Sequence, residues 1–218
     1  MKQKLISYKN AFFAAIAAGI FIGIGGTALL SLKDAASPIA GIYNIIGACA
    51  FTIALLCICM MGLYLFTGKV GFLVYDHSGT NILTVVSGLL GNLVGTFLTA
   101  QVVRIARPNT IAVAQALVAP KLADQVWYQT ILSGIMCGIL MYTAVRIYRD
   151  HKSPVAIFFC VPVFILSGFE HSIADMFYFF QAGVFSLDVA VFLLLVIIGN
   201  AIGGMLLPIL RLLSGEKD

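Results

Sequence analysis

Long apolar runs, separated by short polar segments, dominate the sequence. Six stretches contain no Asp, Glu, Lys or Arg, and they are 10–32, 35–68, 78–103, 125–145, 153–169 and 189–210. A helix needs about 20 predominantly apolar residues to cross a bilayer, and most of these stretches are long enough. The pattern therefore predicts an all-α integral membrane protein with six transmembrane helices.

Three of these spans fall in each half of the chain. We assign residues 1–105 to a first repeat, 106–124 to a connection and 125–218 to a second repeat, all within a single transmembrane domain over 1–218. Copies that contain an odd number of spans insert with opposite topology, as in inverted-repeat channels and transporters. The sequence therefore predicts two inverted three-helix repeats.

The two halves share two landmarks. In each half the second span is interrupted by a polar segment that contains glycine, Leu-Phe-Thr-Gly-Lys in the first half and Gly-Phe-Glu-His-Ser in the second. The third span of each half then carries a Gly-Asn pair, which contributes Asn92 or Asn200. Thr67 and His171 precede these asparagines by 25 and 29 residues, respectively. The shared landmarks and their similar spacing predict an internal duplication.

The interruptions predict broken second and fifth helices, whose ends meet near the middle of the membrane. Backbone that leaves the helical pattern at this depth is tolerated only where it is buried or lines a wet cavity. Thr67 and His171 are therefore candidate pore residues on position alone.

Composition excludes several classes of protein. Apolar residues make up 61% of the chain and charged residues 10%, with a mean hydropathy of +1.05, which is far from the values of soluble domains. The net charge of +4 is too small and too scattered for a nucleic-acid site. These values exclude a soluble enzyme and a nucleic-acid partner, and they make the lipid bilayer the expected environment.

The distribution of basic residues predicts the orientation in the membrane. Nine Lys and Arg residues lie on the side of the termini and four on the other side, which predicts that both termini are cytoplasmic. The nine are Lys2, Lys4, Lys9, Lys69, Arg146, Arg149, Lys152, Arg211 and Lys217, and the four are Lys33, Arg104, Arg107 and Lys121. We expect the basic, apolar N-terminus to be retained as the first helix rather than cleaved.

All five cysteines lie inside apolar runs, where a free thiol packs as a small hydrophobic side chain. Cys57 and Cys59 are close in sequence, but no matching pair of Cys or His accompanies them. A closed metal site would therefore lack ligands, and we expect neither a metal nor another cofactor.

The landmarks also carry a resemblance to a known family. The segments 65–68 and 168–176, together with the two Gly-Asn pairs, resemble the formate/nitrite transporter family. The resemblance covers essentially the whole chain, and Gly-Phe-Glu-His-Ser inside a broken span is its specific element. It implies a homopentamer of aquaporin-like protomers in a bacterial inner (plasma) membrane. Each protomer would have its own pore for a small monovalent anion such as formate, nitrite or hydrosulfide.

The resemblance also implies roles for individual residues. Thr67 and His171 match the central polar pair of the family. The apolar constrictions on either side of this pair match Phe51, Leu55, Leu65 and Phe164. Lys121 matches a lysine outside the membrane, where it would attract anions to a vestibule as an exposed charge. Two roles of His171 stay open, because it could donate a proton to the permeating anion or stay neutral and form a hydrogen bond with it.

Three further polar residues are expected to support the broken helices. The carboxylate of Glu170 would satisfy backbone amides at the break, or cap the half-helix that begins at Ser172. Asn92 and Asn200 would form hydrogen bonds between helices.

Two other classes of function fit the sequence less well. A neutral-solute channel could share the broken-helix plan, but its aquaporin form would need paired Asn-Pro-Ala turns, which the sequence lacks. A membrane enzyme would have to use Glu170, His171, Ser172 and Asp175. Neighbouring residues on a helix project in different directions, and no separate nucleophile accompanies them. We therefore expect no enzymatic activity.

Overall fold

The computed structural model describes residues 7–33, 39–124 and 126–215. These residues form nine α-helices and one short 3-10 helix, Val70–Val74, which follows α3. The α-helices are α1 (Tyr8–Lys33), α2 (Ala40–Met60), α3 (Phe66–Lys69), α4 (Gly79–Ala106), α5 (Asn109–Ala123), α6 (Trp127–His151), α7 (Val155–Leu166), α8 (Ser172–Ala182) and α9 (Leu187–Leu213).

Five of these helices, α1, α2, α4, α6 and α9, are long and apolar enough to cross a membrane. The remaining apolar segments are short, because α7 has 12 residues and α8 has 11. The prediction of an all-helical membrane protein is confirmed for the described part of the chain. Of the basic residues used to predict the orientation, Lys2, Lys4 and Lys217 lie outside that part.

Glycines bring two pairs of long helices into backbone contact. Where α1 crosses α4, a Cβ atom added to Gly19 would lie 2.9 Å from the Cα of Gly95. Where α6 crosses α9, a Cβ added to Gly199 would lie 2.9 Å from the Cα of Gly134. Such small residues let membrane helices approach closely enough for extensive van der Waals contact. Both crossings therefore depend on the absence of side chains.

Helices α2 and α7 end in the same way. Each is followed by a glycine in the left-handed region, Gly62 with φ 66° and Gly168 with φ 69°, where other residues would be strained. In both cases the amide of the next residue donates to the carbonyl five residues earlier, at 2.9 Å. This 6→1 bond is the signature of a Schellman motif. The chain therefore leaves both helices sharply, and it begins α3 or α8 a few residues later.

The connection predicted at 106–124 is largely helical, because α5 occupies Asn109–Ala123. This helix packs on α8 and satisfies part of its C-terminal end, since Gln115 Nε2 donates to the carbonyl of Ala182 at 3.1 Å. Arg104, at the end of α4, donates to the carbonyl of Gln181 at 2.8 Å. The connection thus helps to fix the position of α8.

Candidate functional site

The first break is the non-helical segment between α2 and α3, and the second is the one between α7 and α8. The buried side chain of Asn92 forms hydrogen bonds on both sides of Leu65 in the first break. Its Oδ1 accepts a hydrogen bond from the amide of Phe66, the first residue of α3, at 2.9 Å. Its Nδ2 donates to the carbonyl of Tyr64, just before the break ends, and to the carbonyl of Ala15 on α1, both at 2.9 Å. One side chain therefore satisfies three backbone groups that the break and the close helix crossing bring together.

Asn200 does the same at the second break. Its Oδ1 accepts from the amide of Ser172 at 2.9 Å. Its Nδ2 donates to the carbonyl of Glu170 at 2.8 Å and to the carbonyl of Gly134 on α6 at 2.9 Å. The two asparagines thus make equivalent sets of hydrogen bonds in the two halves of the protein.

These bonds place Leu65 and His171 in equivalent positions. In each case an asparagine side chain binds the carbonyl of the preceding residue and the amide of the following residue. Both residues are extended, with φ −108° and ψ 123° at Leu65 and φ −113° and ψ 108° at His171. The residue of the first half that corresponds to His171 is therefore Leu65, two positions before Thr67. Leu65 precedes Asn92 by 27 residues, which is closer to the 29-residue spacing in the second half.

Thr67 and His171 nevertheless meet, because Thr67 is the second residue of α3 and faces His171. Thr67 Oγ1 and His171 Nε2 lie 2.9 Å apart, and the two residues are 0% and 2% exposed. His171 Nδ1 accepts from the amide of Ala174 at 3.1 Å and so caps α8. A ring nitrogen that accepts carries no proton, so the proton is on Nε2 and is donated to Thr67 Oγ1. In this arrangement the imidazole is neutral.

Aromatic rings cover one side of the polar pair. The ring of Phe164 stacks on the imidazole of His171, with centroids 5.5 Å apart and an interplanar angle of 22°. The edge of Phe51 meets Phe164 at 6.2 Å and 89°. Leu55, one turn from Phe51 on α2, and Leu65 are buried in the same apolar core. The pair therefore sits in largely apolar surroundings.

Lys121 is not the exposed charge that we expected. Its Nζ forms an ion pair with Glu170, and a second one with Asp175 Oδ1 at 3.2 Å. The side chains of Lys121 and Asp175 are 15% and 2% exposed. The expectation failed because the C-terminal end of α5 lies against the N-terminal end of α8, where both carboxylates are located.

Glu170 also differs from its expected role as a helix cap. Its carboxylate forms an ion pair with Lys121. The N-terminus of α8 is capped instead by His171, whose Nδ1 accepts a hydrogen bond from the backbone. The backbone of Glu170 is held separately, since its amide donates to Ser133 Oγ at 3.0 Å. Glu170 therefore supports the break through an ion pair and through its backbone.

Sequence reasoning did not select Asp175 as a site residue. A signal was present, because an ionisable residue within an apolar span is a functional candidate by default. Asp175 was considered only in the enzyme alternative, because its ion-pair partner, Lys121, is 54 positions away in the chain and leaves no local pattern. Among the described residues, no group of three or more His, Cys, Asp or Glu side chains is arranged to hold a metal ion.

Extended residues before α3 and α8 bring a polar pair together inside a bundle that contains five helices long and apolar enough to cross a membrane. Buried non-helical backbone of this kind is typical of membrane channels and transporters. A family profile described as formate/nitrite transporter matches residues 1–213. The chain belongs to the formate/nitrite transporter family.

Curated relatives include channels and transporters of Escherichia coli (strain K12). The chain is 29% identical to the formate channel FocA over 186 residues, which cover 77% of this chain and 64% of FocA. It is 28% identical to the nitrite transporter NirC over 171 residues, which cover 73% of this chain and 63% of NirC. The chain thus spans slightly less than two thirds of the length of these relatives.

Two solved structures share the fold. A pentameric formate channel with formate bound superposes with a TM-score of 0.84 and 25% identity, covering 96% of this chain and 98% of that chain. An ion channel described as a member of the FNT family superposes with a TM-score of 0.81 and 23% identity, covering 94% of this chain and 90% of that chain.

Proposed function

We propose that this protein is a transmembrane channel for small monovalent weak-acid anions of the formate, nitrite or hydrosulfide class. The observation that carries the proposal is the hydrogen bond between Thr67 and His171 at the meeting point of the two breaks. Membership of the family and the likeness to a formate channel support the same class of substrate.

The protomer is built from two inverted repeats, 1–105 and 125–218, in an aquaporin-like arrangement. In this account α2 with α3, and α7 with α8, are the broken second and fifth of six membrane spans. The matching glycine ends of α2 and α7, the matching hydrogen bonds of Asn92 and Asn200, and the matching glycine crossings all support the internal duplication.

The apolar surroundings of the pair select against charged permeants. An isolated anion in such a place faces a desolvation cost on the order of tens of kcal/mol. A weak acid avoids this cost, because apolar surroundings raise its pKa and favour the neutral form. The anion takes a proton from water before the constriction formed by Phe51, Leu55, Leu65 and Phe164, crosses as the neutral acid, and releases the proton on the other side.

The neutral imidazole acts as a hydrogen-bond relay rather than as the proton donor. Protonation of Nδ1 would remove the acceptor for the Ala174 amide and leave α8 without its cap. While Nε2–H donates to Thr67 Oγ1, the hydroxyl proton of Thr67 is free to be donated to a permeating molecule. The polar pair thus offers a neutral acid one compensating hydrogen bond inside an apolar passage.

The assembled channel is a homopentamer in the inner (plasma) membrane, with both termini in the cytoplasm. The likeness to a pentameric channel supports the assembly, and the excess of basic residues on one side supports the orientation. Large apolar side chains exposed along the long helices suit contact with lipid and with neighbouring protomers.

Flux in proteoliposomes tests the proposed function. We expect formate flux well above that of protein-free liposomes, increasing as the pH is lowered, because the neutral acid becomes more abundant. Urea flux measured on the same preparation provides the comparison. Urea flux without formate flux would contradict the proposal and would favour the neutral-solute channel.

A further inference from the structure

A cavity of about 620 Å³ opens at the end of the protomer where α2 and α6 finish. Leu65 lies in its wall, so the cavity leads directly to the break that positions Thr67. Its lining includes apolar, thiol and basic side chains, among them Ile58, Cys59, Leu65, Lys69, Arg149 and Lys152. We refer to this space as the Lys69 cavity.

Lys69 brings an unneutralised charge to this cavity. It is half-buried, and no carboxylate of the described residues forms an ion pair with it. The carboxylate of Asp150 also lines the cavity, but it is paired with Arg146. The nearest aromatic partner, the ring of Tyr64, is 6.0 Å from Nζ. A partly desolvated ammonium without a counter-ion strongly favours an anion in the adjacent space.

The opposite end of the protein is different. There Lys121 is matched by two carboxylates, and Arg104 donates to the backbone carbonyls of α8. The 25 residues of α6 separate the two ends, which corresponds to about 37 Å at 1.5 Å per residue. At the Lys121 end the two cations closest to α8 are therefore already engaged by protein groups, whereas Lys69 has no such carboxylate partner among the described residues.

From this arrangement we infer that Lys69 anchors an anion-binding site in the Lys69 cavity, and that the site holds a small monovalent carboxylate or oxyanion before it reaches Leu65. Arg149 supplies a second cation, held over the ring of Phe72 at 4.6 Å. Ile58 and Leu63 add an apolar wall beside these two cations. The identity of the ligand rests on the proposed function, whereas the charge of the site does not.

The competing interpretation is that Lys69 is an interfacial lysine whose methylene stem covers apolar surface while its ammonium reaches water. That interpretation predicts no selectivity for anions in the cavity. Lys152 provides a matched control, because it carries the same charge at the rim of the same cavity but is exposed.

Cys59 reports the charge of the cavity without any need for transport, because it lines the same space. We would treat the purified protein separately with a negatively and a positively charged methanethiosulfonate of similar size. The rate of modification of Cys59 would be measured by peptide mass spectrometry. With each rate divided by the rate of the same reagent with a free thiol in solution, we expect the negative reagent to react faster in the wild type. This preference should fall on the order of fivefold in Lys69→Gln, as expected for the loss of one nearby charge. It should change little in Lys152→Gln and be restored in Lys69→Arg.

Sodium formate at increasing concentration should slow the labelling of Cys59 in the wild type but not in Lys69→Gln. Equal normalised rates for both reagents, or a preference that survives in Lys69→Gln, would overturn the inference. No labelling of Cys59 by either reagent would overturn it as well, because the cavity would then be closed to anions.

Transport provides the second readout. In proteoliposomes, Lys69→Gln should raise the apparent KM for formate several-fold with little change in maximal flux, because the anion site precedes the barrier. An unchanged KM would count against the site while leaving the channel function intact. If wild-type protein carries no formate at all, the proposed function fails, and the labelling of Cys59 still decides whether the cavity binds anions.

Discussion

Replacing Asn200 by alanine tests the description of the breaks most sharply. The change removes three hydrogen bonds at once and leaves the amide of Ser172 and the carbonyls of Glu170 and Gly134 without this partner. Asn200 is fully buried, so water cannot easily replace the lost bonds. The destabilisation should therefore reflect all three.

Two reference free energies set the expected loss of stability. Hydrogen bonds between membrane helices average about 0.6 kcal/mol, whereas a buried polar group left unpaired costs about 1–3 kcal/mol. Three bonds therefore give a loss of about 2–9 kcal/mol. Asn92→Ala should cost a similar amount, because Asn92 makes the equivalent set of bonds.

Thermal stability of the detergent-solubilised oligomer, followed by size-exclusion chromatography after heating, measures this loss. Asn81→Ala is a suitable control, because the hydrogen bonds of Asn81 are exposed, and changes at such sites usually stay within about 0.5 kcal/mol. Wild-type stability of Asn200→Ala would refute the hydrogen-bond account of the break. A large difference between the Asn92 and Asn200 variants would refute the proposed equivalence of the two halves.

Three further predictions concern the ion pair, the helix crossing and the pore. Lys121→Met should lower stability by about 3–5 kcal/mol, since it strands two buried carboxylates, and an unchanged melting temperature would show that they are not buried together. Gly199→Val should prevent the assembly that size-exclusion chromatography detects. Gly41→Val should assemble, because no atom lies within 4 Å of the added Cβ. Equal behaviour of the two variants would argue against the close crossing of α6 and α9. Thr67→Val should assemble normally but lower formate flux, because the hydroxyl is lost with little change in volume, and full flux would remove Thr67 from the pore.

Some features could be predicted from sequence because they depend on local patterns. Apolar runs longer than a bilayer needs indicate membrane helices, and glycine next to polar residues within such a run indicates an interruption. Asn92 and Asn200 were recognised as helix-connecting residues for the same reason, since a polar amide in an apolar span requires partners. Thr67 and His171 were selected because they lie at the interruptions.

Other features depend on contacts between distant segments and left little trace in the sequence. The ion pairs of Lys121 join α5 to α8 and its N-terminal flank, so a lysine that looked exposed in the sequence is neutralised in the fold. The correspondence of Leu65 with His171 was hidden because the two halves keep the backbone geometry but not the side chains. His171 could not be recognised as a helix cap, because its Nδ1 bond depends on where α8 begins.

Formate flux through His171→Phe, measured per assembled oligomer, tests the central claim most directly. Phenylalanine fills a similar volume but removes the Nε2–H that is donated to Thr67. We expect a drop of at least about tenfold, equivalent to about 1.4 kcal/mol and comparable to one hydrogen bond. His171→Asn, which keeps a side-chain acceptor to cap α8, should assemble and retain part of the flux. Wild-type formate flux through well-assembled His171→Phe would contradict the claim that His171 lines the pore.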